Sequence, residues 1–291
     1  MAQLNEIKHH IHAVRQTWQI TRAMQLISTV KMRKALHRLQ QNDTYIDRTR
    51  TMMKDILLHT QDIRHPFLQH SADGRTAYLV IAGDKGLAGA FNNNVLNLAL
   101  NDMKAKQEKY IFTVGQMATR FFKAKDQMVD VEFLHTAQNP ELYHASQIAD
   151  VFIDLFQDNM VDQIDIVYTH LLSTTQHQAR IVKLLPLELS NFTDIKIEST
   201  FTGGFQYEPN SRNVFNLLAR QYIVGIVYAS LVQSYASEQC ARMQAMDNAT
   251  QNAEEMIGKL SQQFRQARQT VVTQEIMEII GSANLVGDNK D

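Results

Sequence analysis

Three stretches carry side chains whose types and spacing could do chemistry. The first is VIAGDKGLAGAFNNN, residues 80–94, where Gly83, Gly86 and Gly89 follow an apolar run and precede a helix-like one. Such a loop could cradle phosphate, but its spacing fits neither common nucleotide signature. A P-loop needs Gly-x-x-x-x-Gly-Lys-Ser/Thr, with lysine on the phosphates and the hydroxyl on magnesium. Here Lys85 precedes Gly86 and no Ser or Thr follows Gly89. A dinucleotide fingerprint needs Gly-x-Gly-x-x-Gly and an acidic residue closing the second strand. Here the step is Gly-x-x-Gly-x-x-Gly, and YIFTVG, 110–115, closes without an acid. A tight strand-to-helix turn, the glycines supplying positive φ and close packing, accounts for the same residues. A nucleotide-dependent enzyme using 83–89 stays open as an alternative.

The second stretch holds His9, His10 and His12. His9 and His12 share a helix face, yet no carboxylate or cysteine stands at ligand spacing beside them, so no metal is expected. The third is VTQEIMEIIG, where Glu275 and Glu278 lie three apart on one helix face. Paired carboxylates can do acid–base work; at the end of a long helix with no pocket, partner contact or solvation is the expected use. No catalytic set and no cofactor is read from the sequence.

The elements that must position these residues fall into three segments. Over residues 1–60, Leu4, Ile7, Ile11, Val14 and Trp18 step by three and four, the pattern of a coiled-coil seam. No proline or glycine precedes Pro66, and an uninterrupted helix here would be roughly 80–85 Å long. It carries ten basic side chains against four acidic ones, a face that attracts acidic partners. Residues 70–207 alternate strand and helix signals. AYLVIA, YIFTVG, VDVEFL, IDIVYTH and ARIVKLLPL read as strands, and 95–107, 116–126 and 144–159 as helices. That alternation predicts a small parallel or mixed sheet covered by helices. Residues 213–286 contain no proline and recur in apolar residues at helical spacing, a helix of roughly 105–110 Å. Such a helix cannot bury its stripe within a compact domain, and the only long partner in the chain is the first helix. The expected fold is therefore α/β: a long antiparallel coiled coil of N- and C-terminal helices with an inserted α/β, Rossmann-like domain, a rod carrying a globular collar.

Composition bounds the rest. The 291 residues are 44% hydrophobic and 20% charged with net charge −1, which makes no case for nucleic acid. Cys240 is the lone cysteine, so no intramolecular disulfide forms. The polar start MAQLNEIKHH predicts no secretory leader. QYIVGIVYASLVQSYAS, 221–237, is apolar but short of the ~20 residues a spanning helix needs, and reads as a buried helix. Any membrane link is expected through a partner. CARMQAMDNATQNAEEMI and IIGSANLV are small and weakly apolar where an isolated coiled coil would want larger residues, a surface suited to touching or sliding against something.

Three blocks of the chain resemble the gamma subunit of F-type (rotary) ATP synthases, and together they cover nearly its whole length. ITRAMQLISTVKMRKA resembles the family's first-helix motif, Ile-Thr-Lys-Ala-Met and a basic stretch ending in Lys-Ala. GDKGLAGAFN resembles Ser/Thr-Asp-x-Gly-Leu-Cys-Gly-x-x-Asn. ASEQCARMQAM and RQTVVTQEIMEIIGSA resemble its two C-terminal motifs. The resemblance implies a non-catalytic central rotor shaft, its terminal helices inside a ring of three α and three β subunits. The α/β domain would lie near the epsilon subunit and the membrane c-ring, and nucleotide chemistry would belong to the partners. It implies that Met24 faces β, that Arg242, Gln269, Thr273 and Glu275 meet the surrounding ring with Glu278 beside them, and that Lys85 lies near an acidic region of β. It implies a peripheral position on the cytoplasmic face of a bacterial plasma membrane. His10, Ala88, Ala219, Arg265 and Ser282 depart from the family's usual residues. A coiled-coil adaptor unrelated to ATP synthesis remains the other reading of the rod.

Overall fold

The computed structural model describes residues 2–59, 65–68, 74–106, 108–134, 136–173, 176–188, 208 and 210–287, with backbone alone at 2, 3, 59 and 281–287. Residues 189–207, which close the expected inserted domain, Pro209 and the side chain of Ser282 lie outside that description.

A 58-residue helix α1, Ala2–His59, opens the chain, and a 77-residue helix α5, Ser211–Gly287, follows the strands. The missing prolines are the reason both run so far, since each would remove a backbone donor and clash with the preceding turn. Asn210 starts α5: its Oδ1 accepts the Asn213 N–H at 2.8 Å, satisfying one of the orphan donors of the first turn. Between the helices come a 3-10 turn at Pro66–Leu68, β1 Arg75–Ile81, α2 Phe91–Met103, β2 Glu108–Val114 and α3 Gln116–Lys123. β3 Val131–Phe133, α4 Leu142–Gln157, β4 Gln163–Leu171 and β5 His177–Leu185 complete the series. The chain divides into two compact units, one built from α1 up to Ile27 and α5 from Met243, the other from Ser28 to Arg242.

In the Ser28–Arg242 unit the strands form one sheet in the order β3-β2-β1-β4-β5. β1 pairs in parallel with β2 and β4, β2 in parallel with β3, and β5 returns antiparallel along β4. The mixed sheet and covering helices are those the strand–helix alternation predicts. α2 begins at Phe91, not Val95, because its asparagines are used: Asn92 turns back onto the glycine loop, and Phe91 and Asn92 are buried. β1 is buried from Thr76 onward, the continuous burial of a central parallel strand covered on both faces. On one face Tyr78, Val80, Ile111 and Val167 pack under Val95, Leu96 and Ala99 of α2 and Phe122 of α3. On the other, Leu79, Ile81, Phe112, Val114 and Ile166 pack under Ile148 and Phe152 of α4, Met53 and Ile56 of α1, and Phe215, Ile223 and Val227 of α5. The apolar run of α5 is thus core. An 18-residue window of α5 reaches mean hydropathy 1.3, long and apolar enough by composition alone to cross a membrane, yet half of it is buried inside this chain.

α1 and α5 run antiparallel within this unit. Asn42 Nδ2 donates to the Gly225 carbonyl at 3.1 Å, and Tyr45 Oη meets Gln221 Oε1 at 3.3 Å. Gly225 allows close approach there: a Cβ would lie 3.0 Å from Ile46 Cγ1, and Ile46 would have to give way.

In the other unit the same two helices form a narrower antiparallel seam. Val14, Ala253 and Leu260 are buried together, with Ile11, Trp18 and Ile257 packed against them. Polar bonds fix the register. Trp18 Nε1 donates to Glu254 at 2.8 Å, Thr250 Oγ1 donates to Thr21 Oγ1 at 2.9 Å, and Gln25 Nε2 donates to Asp247 at 2.6 Å. At 1.5 Å per residue on both helices, this register carries Ala2 to the level of about Thr270. Residues 272–280 of α5, past that level, are all exposed.

Candidate functional site

The glycine loop follows β1 at the carboxyl end of the sheet, beside the point where chain connections diverge to β2 on one side and β4 on the other. In doubly wound sheets that crevice is where nucleotides bind. Here each glycine has a distinct role. A Cβ on Gly83 would lie 2.9 Å from Glu238 Oε1 and 3.3 Å from Asn92 Oδ1, so this position is one of close approach. Gly89 takes φ +55. Gly86 does neither: it has open space around it and an ordinary φ, and its carbonyl is what the fold uses. The left-handed residue beside it is Leu87, at φ 63, a conformation that costs a branched L-residue energy. The sequence reading of all three glycines as φ or packing devices is corrected at Gly86 on that ground. Gly115, after β2, has φ +93, and a Cβ there would sit 2.2 Å from the Ala82 carbonyl oxygen.

Side chains from two helices hold the loop. Asn92 Oδ1 accepts the Gly83 N–H at 2.9 Å and its Nδ2 donates to the Lys85 carbonyl at 3.3 Å. Arg242 of α5 donates to Glu238 at 2.6 Å and to the Gly86 carbonyl at 3.2 Å. Asp84 Oδ1 accepts the Gln116 N–H at 3.0 Å, tying the loop to the start of α3. Both members of the Glu238–Arg242 pair are largely withdrawn from water, their side chains 9% and 12% exposed. Burial pushes the Glu238 carboxyl above the usual range; Arg242 pulls it down, Asp84 adds to the rise, and Lys31 opposes it. A carboxylate stands against Gly83 where a phosphate-binding loop would leave room for an anion. Like charge and occupied volume both work against a nucleotide there. Lys85 and Leu87 project outward from the same loop.

The remaining sequence-predicted positions are placed as follows. Met24 is half-buried on α1. Gln269, Thr273, Glu275 and Glu278 are exposed on the last turns of α5. Thr273 Oγ1 donates to its own helix at the Gln269 carbonyl, 2.8 Å, and Gln274 donates to Glu278 at 3.3 Å. They share this stretch with Val272, Ile276, Met277, Ile279 and Ile280, between 44% and 67% exposed. His9, His10 and His12 are exposed along α1. Lys85 and Arg242 are brought to one loop, and Gln269, Thr273, Glu275 and Glu278 share one exposed stretch of α5.

Sequence reasoning missed Glu238, Asn92 and Leu87. Two left a signal. Glu238 and Arg242 stand four apart, the spacing at which opposite charges meet on a helix. Asn92 closes the GDKGLAGAFN block, where an asparagine can bond the backbone of the turn before it. Nothing in the local sequence marks Leu87 as left-handed.

The family model described as ATP synthase matches residues 3–286. The chain is 40% identical over 292 aligned positions to the ATP synthase gamma chain of Acetivibrio thermocellus, covering 97% of this chain and 99% of that one. It is 39% identical to the ATP synthase gamma chain of Ruminiclostridium cellulolyticum, covering 97% and 98%. Its fold is similar to a chain in the cryo-EM structure of the Euglena gracilis mitochondrial ATP synthase OSCP/F1/c-ring, with TM-score 0.68, 17% identity and coverage of 100% and 96%. A chain of the Tetrahymena thermophila mitochondrial ATP synthase central stalk and c-ring gives TM-score 0.59 at 22% identity, covering 79% of this chain and 99% of that one.

Proposed function

We propose that this chain, which belongs to the ATP synthase gamma-chain family, works as the central rotor shaft of a rotary ATP synthase. It transmits rotation between a membrane ring driven by ion flow and a ring of catalytic α and β subunits. The observation that carries this reading is the end of α5. Val272, Ile276, Met277 and Ile280 are 44–66% exposed over 272–280, on a helix whose earlier turns are packed. A soluble chain keeps such a stripe for a partner.

On this reading residues 1–60 and 213–286 are the coiled coil of the shaft and 70–207 the domain inserted in it. Gln269, Thr273, Glu275 and Glu278 meet the surrounding α/β ring, and Met24 faces β from α1. Lys85 meets an acidic surface of β, which its exposure and charge suit. Arg242 keeps its place in the coupling path but acts from inside, through the loop it holds. The epsilon subunit and the c-ring are the partners of the sheet domain, on the cytoplasmic face of the membrane. Catalysis lies on β. This chain carries none, and the filling of its glycine loop by Glu238 supports that assignment.

The test is reconstitution of the α and β subunits with and without this chain. The isolated chain should hydrolyse no ATP, and ATP-driven ion pumping by membrane-assembled complex should require it. Substantial ATP turnover by the purified chain would sink the proposal.

A further inference from the structure

Three bonds and one close contact place α5 in the crevice at the carboxyl ends of the sheet. Ser234 Oγ donates to the Ile81 carbonyl at the end of β1, 3.5 Å, and Ser237 Oγ to the Thr169 carbonyl of β4, 3.1 Å. One turn on, the Glu238 carboxylate fills the space over Gly83, and Arg242 bonds both Glu238 and the Gly86 carbonyl. β1 and β4 are the neighbouring strands between which the connections of this sheet diverge. A crevice that elsewhere admits a dissociable ligand is occupied by a helix of the same chain.

We propose that α5 is the resident occupant of this crevice, and that the Glu238–Arg242 pair clasping the loop at Gly83 and Gly86 is the joint through which the sheet domain and α5 turn as one piece. Its use in torque transfer rests on the rotor reading; the clasp itself does not. Serine hydroxyls on one face of α5 bond carbonyls near the ends of β1 and β4, which fixes the helix along its axis. An apolar contact alone would let the helix slide or roll on the sheet. Arg242, oriented by its ion pair with Glu238 on the same helix and shielded from water, adds a directional bond to the Gly86 carbonyl of the loop. Asn92 completes the joint by bonding the loop at the Gly83 N–H and the Lys85 carbonyl. Glu238, Arg242 and Asn92 are positioning residues: they touch no nucleotide and act through the loop.

The experiment uses the full complex reconstituted in vesicles, carrying Glu238→Gln, Gly83→Ala or no substitution, with Asn93→Ala as a control at an exposed position beside the loop. Gly83→Ala guards against misfolding. Gly83 has no left-handed φ, and the added methyl meets only side-chain ends, Glu238 first and Asn92 Oδ1 at 3.3 Å, so the variant disturbs the joint and not the backbone around it. Hydrogen exchange of 83–89 should rise about tenfold in both clasp variants, while β1 and β4 exchange as before and Asn93→Ala leaves the loop unchanged. Ions pumped per ATP hydrolysed should fall about threefold or more in the clasp variants, a ratio that a mere loss of folded complex would not move. Unchanged exchange in both variants overturns the clasp. Raised exchange with an unchanged pumping ratio overturns its role as a torque joint and leaves the rotor reading intact. Pumping by the unsubstituted complex that does not need this chain overturns the rotor reading, and the torque role with it, while exchange still decides the clasp.

Discussion

One helix, α5, serves two opposite physical purposes along its length. Between Tyr222 and Ala241 nearly every side chain is covered: Ile223, Val227, Leu231 and Val232 by apolar neighbours, Ser234, Ser237 and Glu238 by hydrogen bonds. Between Val272 and Ile280 none is covered, although the residues are as apolar. Hydrophobicity therefore does not separate the two. What separates them is their surroundings: the first stretch is enclosed by the sheet and α1, whereas residues 272–280 are exposed among the described residues. Apolar side chains exposed on a helix whose earlier turns are packed make a surface suited to another molecule.

The comparison breaks first at the enclosed stretch. Leu231→Asp should prevent folding or cost more than about 4 kcal/mol, because an unpaired charge would enter the core at a 2% exposed site. Urea unfolding of the isolated chain checks it; a variant as stable as the parent would mean that this stretch is not core. Removing Arg242 as Arg242→Ala should cost about 3–5 kcal/mol, since it strands the Glu238 carboxylate against Gly83. Within the narrower seam, Thr250→Val should cost about 1 kcal/mol by breaking the buried bond to Thr21. At the bare end, Ile276→Asn with Ile279→Asn should change unfolding by less than about 0.5 kcal/mol and still weaken assembly with the α/β ring. Gln269→Leu with Thr273→Val should likewise impair coupled synthesis more than folding. Equal losses of stability at both stretches would erase the distinction.

A smaller effect sharpens the enclosed side through pH. His65 is buried against Phe67 and Phe215, accepts the Phe67 N–H on Nδ1 and contacts Asn216 through Nε2. Burial pushes its pKa down; the Asn216 bond opposes that and Arg212 adds to it. The folded state thus binds the proton less well than the unfolded one. His65 contributes full stability above the unfolded value of about 6.5, and that contribution is lost as pH falls from there toward the lower folded value. Unfolding titrations between pH 7 and pH 5 should show this slope, and His65→Gln should flatten it.

The long helices were legible because absence of proline and apolar spacing are local signals. The sheet was legible because its strands are rich in Val, Ile and Tyr and alternate with helices. The use of the glycine loop was not. Its spacing spoke against a nucleotide, but what fills the place is Glu238, more than 140 positions later in the chain. A contact that distant leaves no periodicity in either stretch. The bare end of α5 was half legible: its uncharged residues stood out, while the length by which it passes the start of α1 needed the register set by Trp18, Thr21 and Gln25. Arg242 shows the same limit, since its place in a family motif said that it matters without saying that its guanidinium points inward.

Rotation itself is the direct test. Lys125 is exposed at the turn after α3, and replacing it with cysteine gives an accessible thiol while Cys240 stays buried. With the α/β ring immobilised and a bead attached at that position, adding ATP should drive continuous turning in one direction, stopping when ATP is exhausted. ATP hydrolysis at full rate beside a bead that only fluctuates about a fixed angle would contradict the account.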